Sequence, residues 1–235
     1  MRTAVILNTI NRFHHTKVAL DVTLNNAGAD FDLFWWDNGS SNDRIKDLIK
    51  GFNPVWSCEA AKNVGNPPAY NVMLRLVKEQ EYDYVVVIGS DLMLPNNWLA
   101  LYKQVHELSG NKGLLGYDWG LLQDDKSVAS FNGFELFKCP FVFGTWFFSS
   151  ELLDTVGYFN EAYKMYGKWD SDFNYRITKS GIDSYYLPVR CLHLVDSNER
   201  TSEYRAFKDR NLKANEEVYK KQIELYELNN NYYIA

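Results

Sequence analysis

The chain has 235 residues, of which 46% are hydrophobic and 23% charged. This is the composition of a folded domain able to bury a core without staples, and it excludes a disordered chain. A net charge of −5 gives no global positive field for nucleic acid. Aromatic residues make up 16%, with 7 Trp, 16 Tyr and 14 Phe, which fits either a heavy core or a surface that stacks on rings. Cys58, Cys139 and Cys191 lie far apart with no C-x-x-C pair, which argues against a disulfide framework and for a reducing, cytoplasmic setting. The first apolar run, Ala4 to Leu7, is too short for a signal-peptide core. No stretch approaches the ~20 apolar residues of a membrane span, although a peripheral membrane surface would need none.

In chain order, Ala4–Leu7 reads as a buried strand, followed by a helix over 17–26 with Val18 and Val22 on one face. A strand over 31–36 comes next, then a short helix over 42–50 carrying Ile45, Leu48 and Ile49 at helical spacing, with Gly51 as its stop. Val55–Cys58 is a short strand, 69–78 a helix with Tyr70, Met73, Leu74 and Val77 on a stripe, and Tyr84–Ile88 the most strand-like run in the chain. Trp98, Leu101, Tyr102, Val105 and Leu108 mark a helix ending near Gly110. This alternation predicts a mostly parallel sheet. The second half is less regular. Turn signals fill 118–131, strand material fills 134–148, and helices are expected over 150–156 and 170–180. Strands over 185–187 and 191–195 and a long helix over 203–228 complete an α/β first half joined to an α+β second half.

In open parallel sheets ligands bind beyond the carboxyl ends of the strands. Here those ends read Asn8-Thr9 with Asn11-Arg12 beyond, then Asp37-Asn38-Gly39-Ser40-Ser41, then Gly89-Ser90-Asp91. Two carboxylates on one edge, beside small residues, suggest a cation-assisted polyphosphate or sugar site. Each also has a bland reading as turn chemistry after a strand. There is no P-loop, no G-x-G-x-x-G after the first strand, no H-E-x-x-H and no G-x-S-x-G.

These segments together resemble family 2 glycosyltransferases of the GT-A fold. The resemblance runs through Val5 to Arg12, Trp36-Asp37-Asn38-Gly39-Ser40-Ser41, Asn63-Val64-Gly65 with Asn71, and Ile88 to Pro95 with Trp98-Leu99. It continues from Gly144 through Val156-Gly157-Tyr158-Phe159-Asn160, and ends on Trp169-Asp170-Ser171-Asp172-Phe173 with Arg176 and Gly181. It spans about Thr3 to His193 and leaves the final ~40 residues uncovered. It implies a GT-A domain over residues 1–195, with a nucleotide-sugar half over 1–110, an acceptor-side half over 111–195, and a C-terminal helical extension over 196–235. It also implies transfer of a sugar from a nucleotide diphosphate sugar, a UDP-sugar foremost, to a hydroxyl on a glycan or other acceptor, with Mn²⁺ or Mg²⁺.

On that pattern Asp37 holds the base of the nucleotide, with Thr9, Asn11 and Arg12 lining its pocket. Asn63, Asn71 and Ser90 lie near the donor. Asp91 and His193 are metal ligands, and Asp170 is the general base of an inverting displacement. A leaving diphosphate gains charge that a hard cation offsets, and the attacking hydroxyl must lose a proton to a carboxylate on the opposite face. Asp172 and Arg176 stand at i, i+4 and read as a structural pair. Trp169 either stacks on an acceptor sugar or packs, and Trp146 falls on the acceptor side with it. His193, between Leu192 and Leu194, is a core histidine on the alternative reading.

Gly89 occupies the position where the family often has the first acid of its D-x-D motif, so the site has one carboxylate there. That keeps a non-catalytic sugar or nucleotide-sugar binding module in play; a further alternative keeps the chemistry and changes the acceptor, a sugar transferase acting on a nucleic-acid base, which the net charge opposes. The basic residues Lys208, Arg210, Lys213, Lys220 and Lys221 alternate with acids and read as a solvated face, or as a subunit contact through the C-terminal helix. Phe31, Phe34, Trp35, Tyr84 and Trp98 are expected in the core. Trp119, Trp146, Tyr163, Tyr166 and Trp169 are expected around an acceptor cleft.

Overall fold

The computed structural model describes residues 1–118, 120, 127–194 and 203–235. Trp119 and Val195, together with most of the turn-rich stretch before 127 and the start of the C-terminal extension, lie outside the described residues. Four parallel strands come first, β1 (Thr3–Thr9), β2 (Asp32–Asp37), β3 (Trp56–Glu59) and β4 (Tyr84–Ile88), in the spatial order β3-β2-β1-β4. Helices α1 (Phe13–Asn25), α2 (Arg44–Phe52) and α3 (Asn66–Glu79) make the connections. The register sets Leu7 beside both Trp35 and Ile88. Side chains alternate between faces along each strand, and both faces are covered. Val5, Leu7, Trp35, Val86 and Ile88 therefore join one buried cluster, and Ala4, Ile6, Phe34, Val85 and Val87 the other.

A two-residue strand, β5 (Leu92–Met93), and α4 (Trp98–Ser109) follow β4. The second half adds β6 (Leu115–Asp118), β7 (Ser127–Phe131), β8 (Phe134–Lys138) and β9 (Trp146–Ser149). Then come α5 (Leu152–Val156), α6 (Trp169–Lys179), β10 (Tyr185–Arg190), β11 (Leu192–His193) and α7 (Glu203–Asn229). β9 enters antiparallel between β4 and β6, so the nine-stranded sheet runs β3-β2-β1-β4-β9-β6-β10-β8-β7. β5 and β11 form a separate two-stranded sheet. The result is the mixed, mostly parallel α/β architecture expected. Among the described residues no helix is long and apolar enough to cross a membrane.

Three local expectations need correction. The aromatic run over 134–148 is two strands, three places apart in the sheet order, broken around Pro140, which has no N–H to give a ladder. Helix α1 begins at Phe13 and buries Ala19, Leu20, Thr23 and Leu24, while Val18 is 49% exposed. The rotation follows from Thr23, whose hydroxyl donates to the Leu92 carbonyl and accepts the Leu94 N–H, tying the helix to β5. Helix α3 begins at Asn66, with Pro67 and Pro68 in its first turn, where a missing N–H costs nothing.

Helix α7 lies along the second half. Tyr226 donates to Asp172 Oδ1 at 2.9 Å, and Asn160 donates to Tyr226 and Gln222. Asp172 and Arg176 of α6 have no solvent exposure and pair at 2.8 Å. Tyr163 donates to the same Asp172 oxygen as Tyr226, and Arg176 donates to the carbonyls of Val156 and Tyr158. The chain end joins the same region: Ile234 donates to Val156 and accepts from Tyr158. Gly157 permits this contact, since a Cβ there would stand 1.7 Å from the Ile234 oxygen. Arg176→Ala leaves a buried carboxylate unpaired and should cost about 3–5 kcal/mol in urea unfolding. Asp172→Asn in an Arg176→Met background removes the stranded charge, keeps the acceptor for both tyrosines, and should recover part of that loss. A loss from Arg176→Ala below about 1 kcal/mol, the range of exposed pairs, would show that the pair is solvated.

Candidate active site

The ends of β1, β2 and β4 open onto one cleft of about 570 Å³. Its polar edge is lined by Asn8, Thr9, Asn11 and Arg12 after β1, Asn38 after β2, Asn63 and Asn66 before and in α3, and Gly89, Ser90 and Asp91 after β4. Tyr70, Met165, Tyr166 and Phe207 complete the lining.

Asn11 and Arg12 both adopt left-handed backbone conformations, with φ of 51° and 50°. This costs a residue other than glycine about 1 kcal/mol or more. The turn brings the Arg12 guanidinium back over the edge, 2.9 Å from Asp91 Oδ2 and 3.4 Å from the Leu194 carbonyl. The Asn11 side chain accepts from the Ser41 N–H and hydroxyl, and its own N–H donates to Ser40. The β1 and β2 ends are thereby tied together. Thr9 uses its hydroxyl to accept the Trp35 indole N–H, so it meets the cleft chiefly through its backbone.

β5 pairs with β11 so that His193 stands opposite Leu92, and Leu194 donates to the Asp91 carbonyl. His193 Nε2 comes within 3.3 Å of Asp91 Oδ2. Neither His193 nor Leu192 is a core residue, since Leu192 is 64% exposed and the imidazole is open to solvent. Burial alone would raise the Asp91 pKa, but the hydrogen bond and charge of His193, then those of Arg12, outweigh it and hold the carboxyl below the usual range. At Gly89 a Cβ would lie 3.2 Å from Asp91 Oδ1, so the position beside the carboxylate is already crowded. Among the described residues no three His, Cys, Asp or Glu side chains converge. Asp91 and His193 are a pair, a carboxylate oxygen and an imidazole nitrogen that could hold part of the shell of a Mn²⁺ or Mg²⁺ ion.

Asp37 is 1% exposed and sits just behind the cleft. Its Oδ1 accepts the Ser40 hydroxyl and N–H, and burial, partly offset by those bonds, raises its pKa. Its neighbour Asn38 reaches the cleft and clips β2 to the 64–65 turn, donating to Gly65 and accepting from Val64. Asn63 accepts from the Gly65 N–H. Asn71 is not brought to the cleft. It is 1% exposed, donates to Phe159 and Glu161 and accepts the Phe159 N–H, clasping α3 to the segment after α5.

Asp170 is half-buried in the first turn of α6, with Oδ1 accepting the Ser171 N–H. Burial pushes its pKa up, partly offset by backbone N–H groups. It does not line the cleft directly. It follows Trp169, whose ring packs 5.4 Å from that of Tyr70. Trp146 is a correction: at 3% exposure it stacks on Phe173 and donates its indole N–H to Val142, so it belongs to the core. Tyr163 goes the same way, fully buried on Asp172.

Sequence reasoning named Asn8 only as a strand end, and it missed Asn66, Met165 and Phe207. Asn8 donates to Asn66, and its own buried Oδ1 has no partner among the described residues. The signal for Asn8 was present in its place at a strand end. For Phe207, in the part of the chain the resemblance does not cover, there was none.

No family model matches the chain, and no curated protein matches it. Solved structures do. The mannosyltransferase PcManGT from Pyrobaculum calidifontis, in complex with GDP-Man and Mn²⁺, superposes with a TM-score of 0.62 at 18% identity over 88% of this chain and 59% of its own. S. aureus TarS 1-349, in complex with UDP-GlcNAc, gives 0.58 at 16% over 86% of this chain and 61% of its own. GalNAc-T7 with UDP, GalNAc and Mn²⁺ gives 0.58 at 14% over 83% and 44%. The chain thus spans about half the length of the structures it matches, and it shares their GT-A fold.

Replacing Asn71 by Ala strands the backbone of Phe159 and should cost about 1–3 kcal/mol in chemical unfolding.

Proposed function

We propose that the chain is a glycosyltransferase that takes its sugar from a nucleotide diphosphate sugar, with a UDP-sugar first among donors, and passes it to a hydroxyl acceptor. The observation that carries this reading is the meeting of Asp91, Arg12 and His193 at the strand-end edge of a cleft on a GT-A fold. The nucleotide belongs at the β1–β2–β3 ends, with Asp37 and Asn38 on the side of the base. Thr9, Asn11, Asn63 and Ser90 line its path. Arg12 faces the diphosphate. Asp91 and His193 would hold Mn²⁺ or Mg²⁺, which when bound supplies positive charge against the leaving diphosphate.

Asp170 is proposed as the base that receives the acceptor proton, and attack from its side inverts the anomeric centre. A carboxylate whose pKa is raised by burial is a stronger base than a solvated one. Trp169, partly exposed and packed on Tyr70, borders the acceptor route. Three free cysteines fit a cytoplasmic setting. Two features favour a second reading, a non-catalytic nucleotide-sugar binder: Gly89 stands two residues before Asp91, where the family often has an acid, and Asp170 does not line the cleft.

A panel of UDP, GDP and dTDP sugars with a mixture of hydroxyl acceptors, read as released nucleoside diphosphate with Mn²⁺ and with EDTA, separates the two. Turnover supports the transferase, while binding without turnover supports the binder. Asp170→Asn should lower turnover by about a hundredfold or more and keep UDP affinity. The wild-type rate should fall as pH drops through the raised pKa of Asp170, so its acid limb should lie above the ordinary aspartate range. Retention of that limb in Asp170→Asn would remove Asp170 from the role. Asp91→Ala should abolish the Mn²⁺ dependence of UDP binding.

A further inference from the structure

The two sides of the cleft differ in chemistry. One is the strand-end edge of amides, carboxylate and guanidinium. The other carries Met165, Tyr166 and Phe207, the last from the second turn of α7. We propose that Tyr166 and Phe207 form the acceptor subsite, a platform for the apolar face of a pyranose ring, and that the C-terminal helix is therefore part of the active site. The proposal rests on the transferase reading and adds to it the acceptor class and the residues that take it.

Four observations support this. First, the side is built in place. Asn215 of α7, 3% exposed, donates to the carbonyls of Lys164, Tyr166 and Gly167 and accepts the Lys164 N–H. Leu212 closes on Gly167 so tightly that a Cβ there would stand 2.8 Å from its Cδ1, and Lys168 pairs with Glu216 at 2.6 Å. Second, the same loop abuts the polar edge, since a Cβ on Gly65 would lie 2.9 Å from the Met165 nitrogen. The aromatic pair and the donor edge thus share one cavity. Third, both rings are only partly buried, Tyr166 with the Lys208 ammonium 5.2 Å from its ring centre, whereas Trp146 and Tyr163 lie in the core. Fourth, the loop leads directly into Trp169 and Asp170 at the start of α6, so a ring held there lies on the side of the proposed base. Pyranose rings present C–H faces that aromatic side chains cover, while their hydroxyls point outward to polar groups.

The test uses the full chain with methyl pyranosides of glucose, galactose, mannose and N-acetylglucosamine, read by saturation-transfer NMR with and without UDP. UDP affinity is measured separately by calorimetry. The wild type should bind at least one pyranoside. Phe207→Ala should weaken it by about fivefold or more, and Phe207→Trp should retain it, with UDP affinity unchanged in both. Tyr166→Leu gives a second reading should Phe207→Ala lose its native circular dichroism. The proposal is overturned if no pyranoside binds the wild type, if both folded variants bind as the wild type does, or if UDP affinity falls in step, which would assign the rings to the nucleotide. Failure of UDP, GDP and dTDP to bind the wild type would instead strike the donor reading, and the pyranoside signal is read independently of it.

Discussion

Arg176 and Asp172 carry opposite charges in a part of the protein that water does not reach, and such a pair is tolerable only if every remaining donor and acceptor is met. Here they are met by groups from four separate places. Tyr163 comes from the loop before α6, Tyr226 from α7, and the carbonyls of Val156 and Tyr158 from the end of α5 and the segment after it. Shifting any one of these elements breaks a hydrogen bond to the buried pair. The knot therefore fixes where α7 lies against α6, and α6 in turn begins with Trp169 and Asp170. The chain end is held by the same carbonyl region through Ile234. The second half of the chain thus takes its geometry from a polar centre, whereas the first half takes its own from the parallel sheet.

The first half works by a different constraint. Its strands are buried on both faces, so side chains along them are committed to packing. Polar chemistry is displaced to the strand ends, where Asn8, Asn38 and Asp91 emerge on one edge. The left-handed turn at Asn11 and Arg12 brings a cation back to that edge, and β11 delivers His193 to the same carboxylate. Asp91 is consequently ionised in the free protein with compensating positive charge beside it. On the proposed function, a diphosphate entering the cleft would meet Arg12 as well as the Asp91–His193 pair, a site whose charges already face one another.

What was legible in the sequence follows from which physics dominates each half. The period of apolar residues and the rule about strand ends were enough to bring Thr9, Asn11, Arg12, Ser90 and Asp91 to one cleft, and the family resemblance added Asn63. The i, i+4 spacing of Asp172 and Arg176 was enough for their ion pair. Asn71 was not legible: a buried asparagine on an apolar helix stripe looks the same whether it meets a ligand or a backbone turn 88 residues away. Trp146 could not be told from an exposed aromatic, because its strand sits between two others only once β9 inserts beside β4. The face of α1 was misjudged because Thr23, a polar residue, buries more fully than Val18. Helix α7 is the extreme case. Its inward face is marked by Asn215, Gln222 and Tyr226, so no apolar stripe announced it.

That polar face has a consequence for Phe207. An apolar stripe on a helix gains nearly as much when the helix slides along its groove, since burial is not directional. Hydrogen bonds are directional, and Asn215 makes its set of four with the 164–167 loop in a single register. Phe207 lies two turns earlier on the same helix, about 12 Å along its axis at 1.5 Å per residue. A slip of one residue would break the asparagine's bonds and carry the phenyl ring off the cleft. Tyr226, farther along, repeats the constraint through Asp172. Between them the two residues hold the helix at both ends of its contact, so the placement of one aromatic ring at the cleft is specified by polar groups far from it rather than by the packing of the ring itself.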